Sequence, residues 1–209
     1  MSIFDKLKEQ LYIEHNKLRM HPTAFIKILE EDMTHFKNKI LMRPGTQAIQ
    51  TYEGITPYEE AIEFLKNQKS VNQLIRYSHL EQVATIHAKD SGENGLVSHE
   101  SSDGKNLNER IEEICEWSEI IGENIDVGSK SAIHVLIALL VDDGVKERPH
   151  RAHLFNNTYN YMGIGVSAHK LYGNITVINY AGQIREKGTA YFDYDNFKYN
   201  ITSTQKKEI

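Results

Sequence analysis

Ten histidines, a single cysteine and 29 acidic residues are the groups through which this chain of 209 residues could do chemistry. None of them stands in a local catalytic motif. Serine, histidine and aspartate are all present, yet no G-x-S-x-G elbow or comparable context surrounds a serine, which argues against a nucleophilic enzyme. Cys115 closes the amphipathic stretch NLNERIEEIC, where it reads as a buried apolar filler. His87 stands at the edge of an apolar helix face and reads as structural. No G-x-G-x-x-G and no P-loop occurs, so nucleotide folds are not expected. Neutral imidazoles and carboxylates remain, the ligands a zinc-like ion takes, but their wide spacing means that only a tertiary fold could gather them.

The elements that would do the gathering can be read from periodicity and punctuation. Residues 2–19 place Ile3, Leu7, Leu11 and Leu18 at three- and four-residue intervals, the stripe of a helix with one buried face. Pro22 opens a second helix, TAFIKILEEDMTHF. Residues 37–56, with Arg43-Pro44-Gly45 and Gly54, read as an exposed connection without evident chemistry. Capping boxes at Thr56-Pro57-Tyr58-Glu59 and Ser78-His79-Leu80-Glu81 predict two further helices. The second of these ends in a Gly/Asn-rich turn. NLNERIEEIC predicts a short helix, residues 117–125 an extended segment, and residues 129–143 the most apolar helix, stopped by Gly144. Residues 161–167 and 175–180 flank the turn Leu171-Tyr172-Gly173-Asn174 and form an antiparallel hairpin. Gly163 and Gly165 inside a strand would let a ligand, or another backbone, come close. Helices first, then a strand and a helix, then a closing hairpin predict an α+β domain: a three-layer α/β/α sandwich with a central antiparallel sheet.

Composition narrows the setting. Net charge is −5 and no basic stripe appears, so nucleic acid is not an expected partner. The first residues are charged and amphipathic and lack the apolar core of a signal peptide. The longest apolar stretch, Ala132 to Val141, is far short of a bilayer span and reads as a core helix, so no transmembrane segment is expected. One cysteine permits no intrachain disulfide and favours a reducing, intracellular setting. Removal of a leader would place the same chain outside the cell, where the sequons at Asn156, Asn174 and Asn200 would matter. The tail Tyr191–Tyr199 alternates aromatics with acids and is expected to dock on its own domain or on a protein partner.

Several blocks then fall in a recognisable order: His15-Asn16 with Arg19; Leu80 through Ala88 followed by Ser98-His99; Gly122-Glu123-Asn124; Arg148-Pro149-His150-Arg151-Ala152-His153-Leu154-Phe155-Asn156; Tyr161-Met162-Gly163-Ile164-Gly165; and Asn179-Tyr180-Ala181. Together they resemble the CAP superfamily of cysteine-rich secretory, antigen 5 and pathogenesis-related class 1 proteins, in its disulfide-free bacterial and protist form. The resemblance implies a CAP, or SCP-like, domain over residues 1–183, with an insertion near 30–57 and a C-terminal extension over 184–209.

In that family two histidines and two acids face each other across a cleft, and in several members the histidines hold a divalent metal. Carried over residue by residue, His99 and His150 are the metal candidates, with His153 the second choice for the latter because it shares a helical face with it. Glu123 is the first cleft acid. Asp142 and Asp143 stand where the family places its second, usually a Glu. Read on their own, Glu123 can equally be a carboxylate bound by backbone N–H groups in a tight turn, and His150 a satisfied histidine near a helix start. The resemblance assigns no catalytic residue. It implies non-enzymatic recognition of lipid, sterol or protein, with a zinc-like ion as the one cofactor in view. The alternatives are an intracellular structural subunit that uses the fold as a scaffold and, as a lesser reading, a metal-dependent hydrolase.

Overall fold

A computed structural model describes residues 1–189. The tail Tyr191–Tyr199 and the sequon at Asn200 lie outside the described residues. Chain order is α1 (Ile3–Met20), a 3-10 turn (Pro22–Phe25), α2 (Ile26–Met33), β1 (Phe36–Lys37), β2 (Ile40–Leu41), β3 (Ile49–Gln50), α3 (Thr56–Asn67), β4 (Ile75–Arg76), α4 (Ser78–Asn94), α5 (Leu107–Ile114), β5 (Cys115–Val127), α6 (Ala132–Val141), α7 (Pro149–Phe155), β6 (Tyr161–His169) and β7 (Gly173–Glu186).

The main sheet runs β4-β6-β7-β5. The β6–β7 hairpin and the β7–β5 pair are antiparallel, as the alternation predicts, while β4 adds a two-residue parallel edge beside β6. Helices cover both faces, so the predicted α+β three-layer sandwich is the observed one. One face buries Leu80, Val83, Ala84 and Ala88 of α4 and Ile111 of α5 against Tyr161, Ile175, Val177, Ala181 and Ile184. The opposite face packs Leu11 and Leu18 of α1 and Val135, Leu136 and Leu140 of α6 against Met162, Ile164, Ile178 and Tyr180. Up to Ala181 a side chain's layer follows from whether its strand position is odd or even; opposite the irregularity between Ser118 and Ile121 the alternation shifts, and Ile184 joins the face of Ala181.

Gly163 and Gly165 face α4, and the structure decides between their two readings. A Cβ at either would lie 2.2–2.3 Å from the backbone of Leu80 or Ala84. The close neighbour is the helix, not a ligand.

Local chemistry departs from expectation at several helix ends. Neither predicted capping box forms: Ile55 and Tyr77 occupy the N-cap positions without side-chain caps. Glu81 is drawn away to Lys8, Tyr12 and Arg76, because an ion pair between elements outcompetes an exposed N–H. The second predicted helix breaks into the 3-10 turn and α2. Residues 37–56, expected as a plain connection, contribute to a small antiparallel sheet β1-β2-β3. Of the sequons among the described residues, Asn174 is buried and donates to the Ser129 carbonyl, whereas Asn156 is partly exposed. No described helix is long and apolar enough to cross a membrane.

Candidate functional site

Among the described residues strand β5 is an edge of the main sheet, and two consecutive residues on it organise the candidate site. Gly122-Glu123-Asn124 lies within this strand, not in a turn. The twofold alternation sends Glu123 toward the α4/α5 layer and Asn124 toward the α6/α7 layer. Glu123 is thus not the turn carboxylate of the alternative reading. Gly122 is required by proximity, since a Cβ there would fall 2.1 Å from the Tyr159 hydroxyl.

On the first side, His99 Nδ1 lies 2.9 Å from Glu123 Oε1, and Arg110 donates to Glu123 Oε2 at 2.7 Å. The same guanidinium donates to the carbonyls of His99 and Lys105, at 2.7 and 2.9 Å. One buried arginine therefore ties α5, the 98–105 loop and β5 together. His87, 3.9 Å from Glu123, bonds through Nε2 to the Ser98 carbonyl and through Nδ1 to Ser101 Oγ. Burial holds its pKa below the ordinary histidine value.

On the second side, Asp142 ends α6 in the left-handed conformation, φ 58°. Its carboxylate accepts from both the backbone N–H of His150 (3.0 Å) and His150 Nδ1 (2.7 Å). Asn124 donates to the His150 carbonyl at 3.1 Å and meets His153 Nδ1 at 2.9 Å.

The two histidine rings meet over the β5 edge, centroids 6.5 Å apart and planes inclined by 28°. Each acid accepts from a ring Nδ1–H, so in the neutral tautomers both Nε2 lone pairs are free of those bonds, the arrangement in which a carboxylate orients a metal-binding imidazole. His99 is the exposed member, with 59% of its side chain accessible, and His150 is mostly covered at 22%. Their acids are each 2% exposed.

Of the expected residues, the structure brings together His99, Glu123, His150 and Asp142. Asp143 is elsewhere: its carboxylate accepts from the backbone N–H groups of Tyr52 and Glu53, at 2.8 and 2.9 Å. His153, one turn after His150, points into the Asn124–Tyr159–Tyr180 cluster, its ring 6.0 Å from Tyr159. Burial lowers its pKa. Arg110 is the member that sequence reasoning missed. Its signal was a charged residue on the stripe of Leu107, Ile111 and Ile114, where a cation is retained only with a partner. Among the described residues no group of three or more His, Cys, Asp or Glu side chains is arranged to hold a metal ion. A zinc-like ion would therefore find two imidazole nitrogens and would need its other ligands from water or a bound molecule.

A three-layer α+β domain with a four-stranded sheet between two helical layers is the class of protein that this fold defines. The chain belongs to the CAP, or cysteine-rich secretory protein, family, whose profile matches residues 12–180. Among solved structures it is similar to an outer surface protein of Borrelia burgdorferi, at 22% identity over 61% of this chain and 89% of that one, with a TM-score of 0.45. It is also similar to an extracellular protein containing an SCP domain from Bacillus anthracis str. Ames, at 21% identity and a TM-score of 0.43, over 59% of this chain but only 38% of that protein. No curated protein matches the sequence.

Proposed function

We propose that this CAP domain is a non-enzymatic recognition protein whose cleft engages a protein ligand through His99 and His150. The observation that carries this reading is the pair of Nδ1-anchored imidazoles whose second nitrogens are left for an incoming group. A lipid or sterol is a weaker candidate. The groove beside the loop that precedes His150, of about 660 Å³, has Tyr52 and Phe64 in its lining but surrounds them with Glu53, Glu60, Arg148 and Arg151, which would have to be desolvated under an apolar ligand. Exposed Ile40, Met42, Ile49, Tyr52 and Ile55 also favour a protein contact, whether with a ligand or, in the scaffold reading, with the neighbours of a larger assembly.

A divalent ion held by the two Nε2 atoms could bridge the cleft to donor atoms of the ligand. Two protein ligands are fewer than the three that catalytic zinc sites use, so hydrolysis is not part of this reading. Calorimetric titration of zinc into wild type, His99→Ala and His150→Ala tests the metal part. Binding in wild type that is lost in both variants is expected, and no binding in wild type overturns it. Cross-linking with a photoreactive group at position 99 tests the protein part, and exclusive labelling of lipid would overturn it.

A further inference from the structure

The loop between Asp142 and His150 holds an unusual backbone. Asp142, Glu147 and Arg148 have φ of 58°, 66° and 49°, and Gly144 has φ 78°. Residues other than glycine persist in this region when their surroundings over-determine them. The surroundings come from residues 51–60. Glu53 takes both ends of the Arg148 guanidinium, at 2.7 and 2.9 Å, and accepts the Gly144 N–H at 2.7 Å. Asp143 returns the contact by accepting the N–H groups of Tyr52 and Glu53. Arg148 also donates to Glu60 and to the carbonyl of Asp142 itself, at 3.0 and 2.9 Å. The Tyr52 ring lies over Gly144, where a Cβ would be 2.7 Å from it. The Arg148 hydrogen bonds and the Gly144 N–H hold the Glu53 pKa down to about 2, so the ion pair persists across the neutral range.

We propose that residues 51–60 form a strap that positions the His150–Asp142 half of the cleft, with Glu53 as its positioning residue. Asp142 and His150 stand at either end of the loop that Glu53 fixes, and their two hydrogen bonds require those ends to stay together. The His99–Glu123 half rests on Arg110 instead. The bearing on zinc rests on the cleft reading above, whereas the bearing on the loop does not.

Amide hydrogen exchange on the full chain, combined with zinc calorimetry, tests the proposal in Glu53→Ala and in the near-isosteric Glu53→Gln. The expected result is at least tenfold faster exchange at Val145 and His150, unchanged exchange at Glu123 and Asn124, and a several-fold loss of zinc affinity, with Glu53→Gln intermediate. Unchanged exchange at His150 in Glu53→Ala overturns the strap. Faster exchange with undiminished zinc affinity overturns its bearing on the site. If Glu53→Ala also loosens β5, Glu53→Gln decides: confined acceleration supports the strap, and acceleration everywhere or nowhere overturns it. A wild type that binds no zinc defeats the metal reading alone, because the exchange pattern still decides whether the strap holds the loop.

Discussion

The two histidine–acid pairs solve one problem by different means. Glu123 and Asp142 are equally buried, and each holds the Nδ1 of its histidine. Glu123 is neutralised from within by Arg110, whose side chain is 5% exposed and which also gathers the loop carrying His99. Asp142 has no arginine on its carboxylate. It is a helix C-cap in a left-handed loop, stabilised by two bonds from His150 and by an ion pair nearer the surface, Glu53–Arg148. The Arg110–Glu123 pair is thus part of the core, although His99 itself is exposed, and damage to that pair becomes damage to folding. The second can be altered from outside while the core stays intact.

The contrast is broken most severely at Arg110. Truncation to Ala would leave Glu123 as an uncompensated buried charge, a change that costs about 3–5 kcal/mol of stability. Urea unfolding should show that loss; a cost under about 1 kcal/mol would mean that the two halves are alike after all. Asp126, three residues further along β5 on the opposite face, supplies the reverse case. Among the described residues Ser129 is the side-chain partner of Oδ1, and Oδ2 has none. Burial raises its pKa to about 7. An acid whose folded pKa is raised subtracts stability as pH climbs from its unfolded value near 4 to its folded value, and the loss is complete above 7. Asp126→Asn is therefore expected to stabilise the chain at pH 8 by about 2–4 kcal/mol and to flatten the decline between pH 4 and 7. Denaturation series at pH 5 and pH 8 check both the sign and the window. A destabilised Asp126→Asn at pH 8 would show that the carboxylate has a partner after all.

Smaller effects sharpen the comparison at the histidines. His99→Ala and His150→Ala are each expected to weaken zinc binding at least tenfold, about 1.4 kcal/mol, while leaving the melting temperature nearly unchanged for the exposed His99. Asp142→Asn keeps a residue type that tolerates the left-handed region but gives up charge-assisted acceptance from His150. Its expected cost is about 1 kcal/mol in stability, well below that of Arg110→Ala, with a modest loss of zinc affinity. If Asp142→Asn and Arg110→Ala proved equally damaging, both acids would have to be counted as core residues.

The periodic elements were legible without coordinates. The stripe of Leu7, Leu11 and Leu18, the apolar run Ala132–Val141 and the alternating segments around Leu171–Asn174 each identify one element and the face it buries, because hydrophobic period is a local property. The order of motifs from His15 to Ala181 identified the family for the same reason: each block is short and contiguous. His99, Glu123 and His150 could be named from those blocks, but nothing local separates Asp142 from Asp143. The choice depends on which carboxylate the left-handed helix end turns toward His150 and which toward the Tyr52 and Glu53 amides. Arg110 left only a trace, a charge on an apolar stripe. Glu81 was misread as a capping residue because Lys8 and Tyr12, which claim it, lie about seventy residues away. The sequence by itself determined the α+β class and the family, since these rest on periodicity and contiguous motifs. Only the tertiary structure decided the second acid, the buried arginine and the strap that joins residues 51–60 to the His150 loop, because an ion pair between distant segments has no signature until the chain has folded.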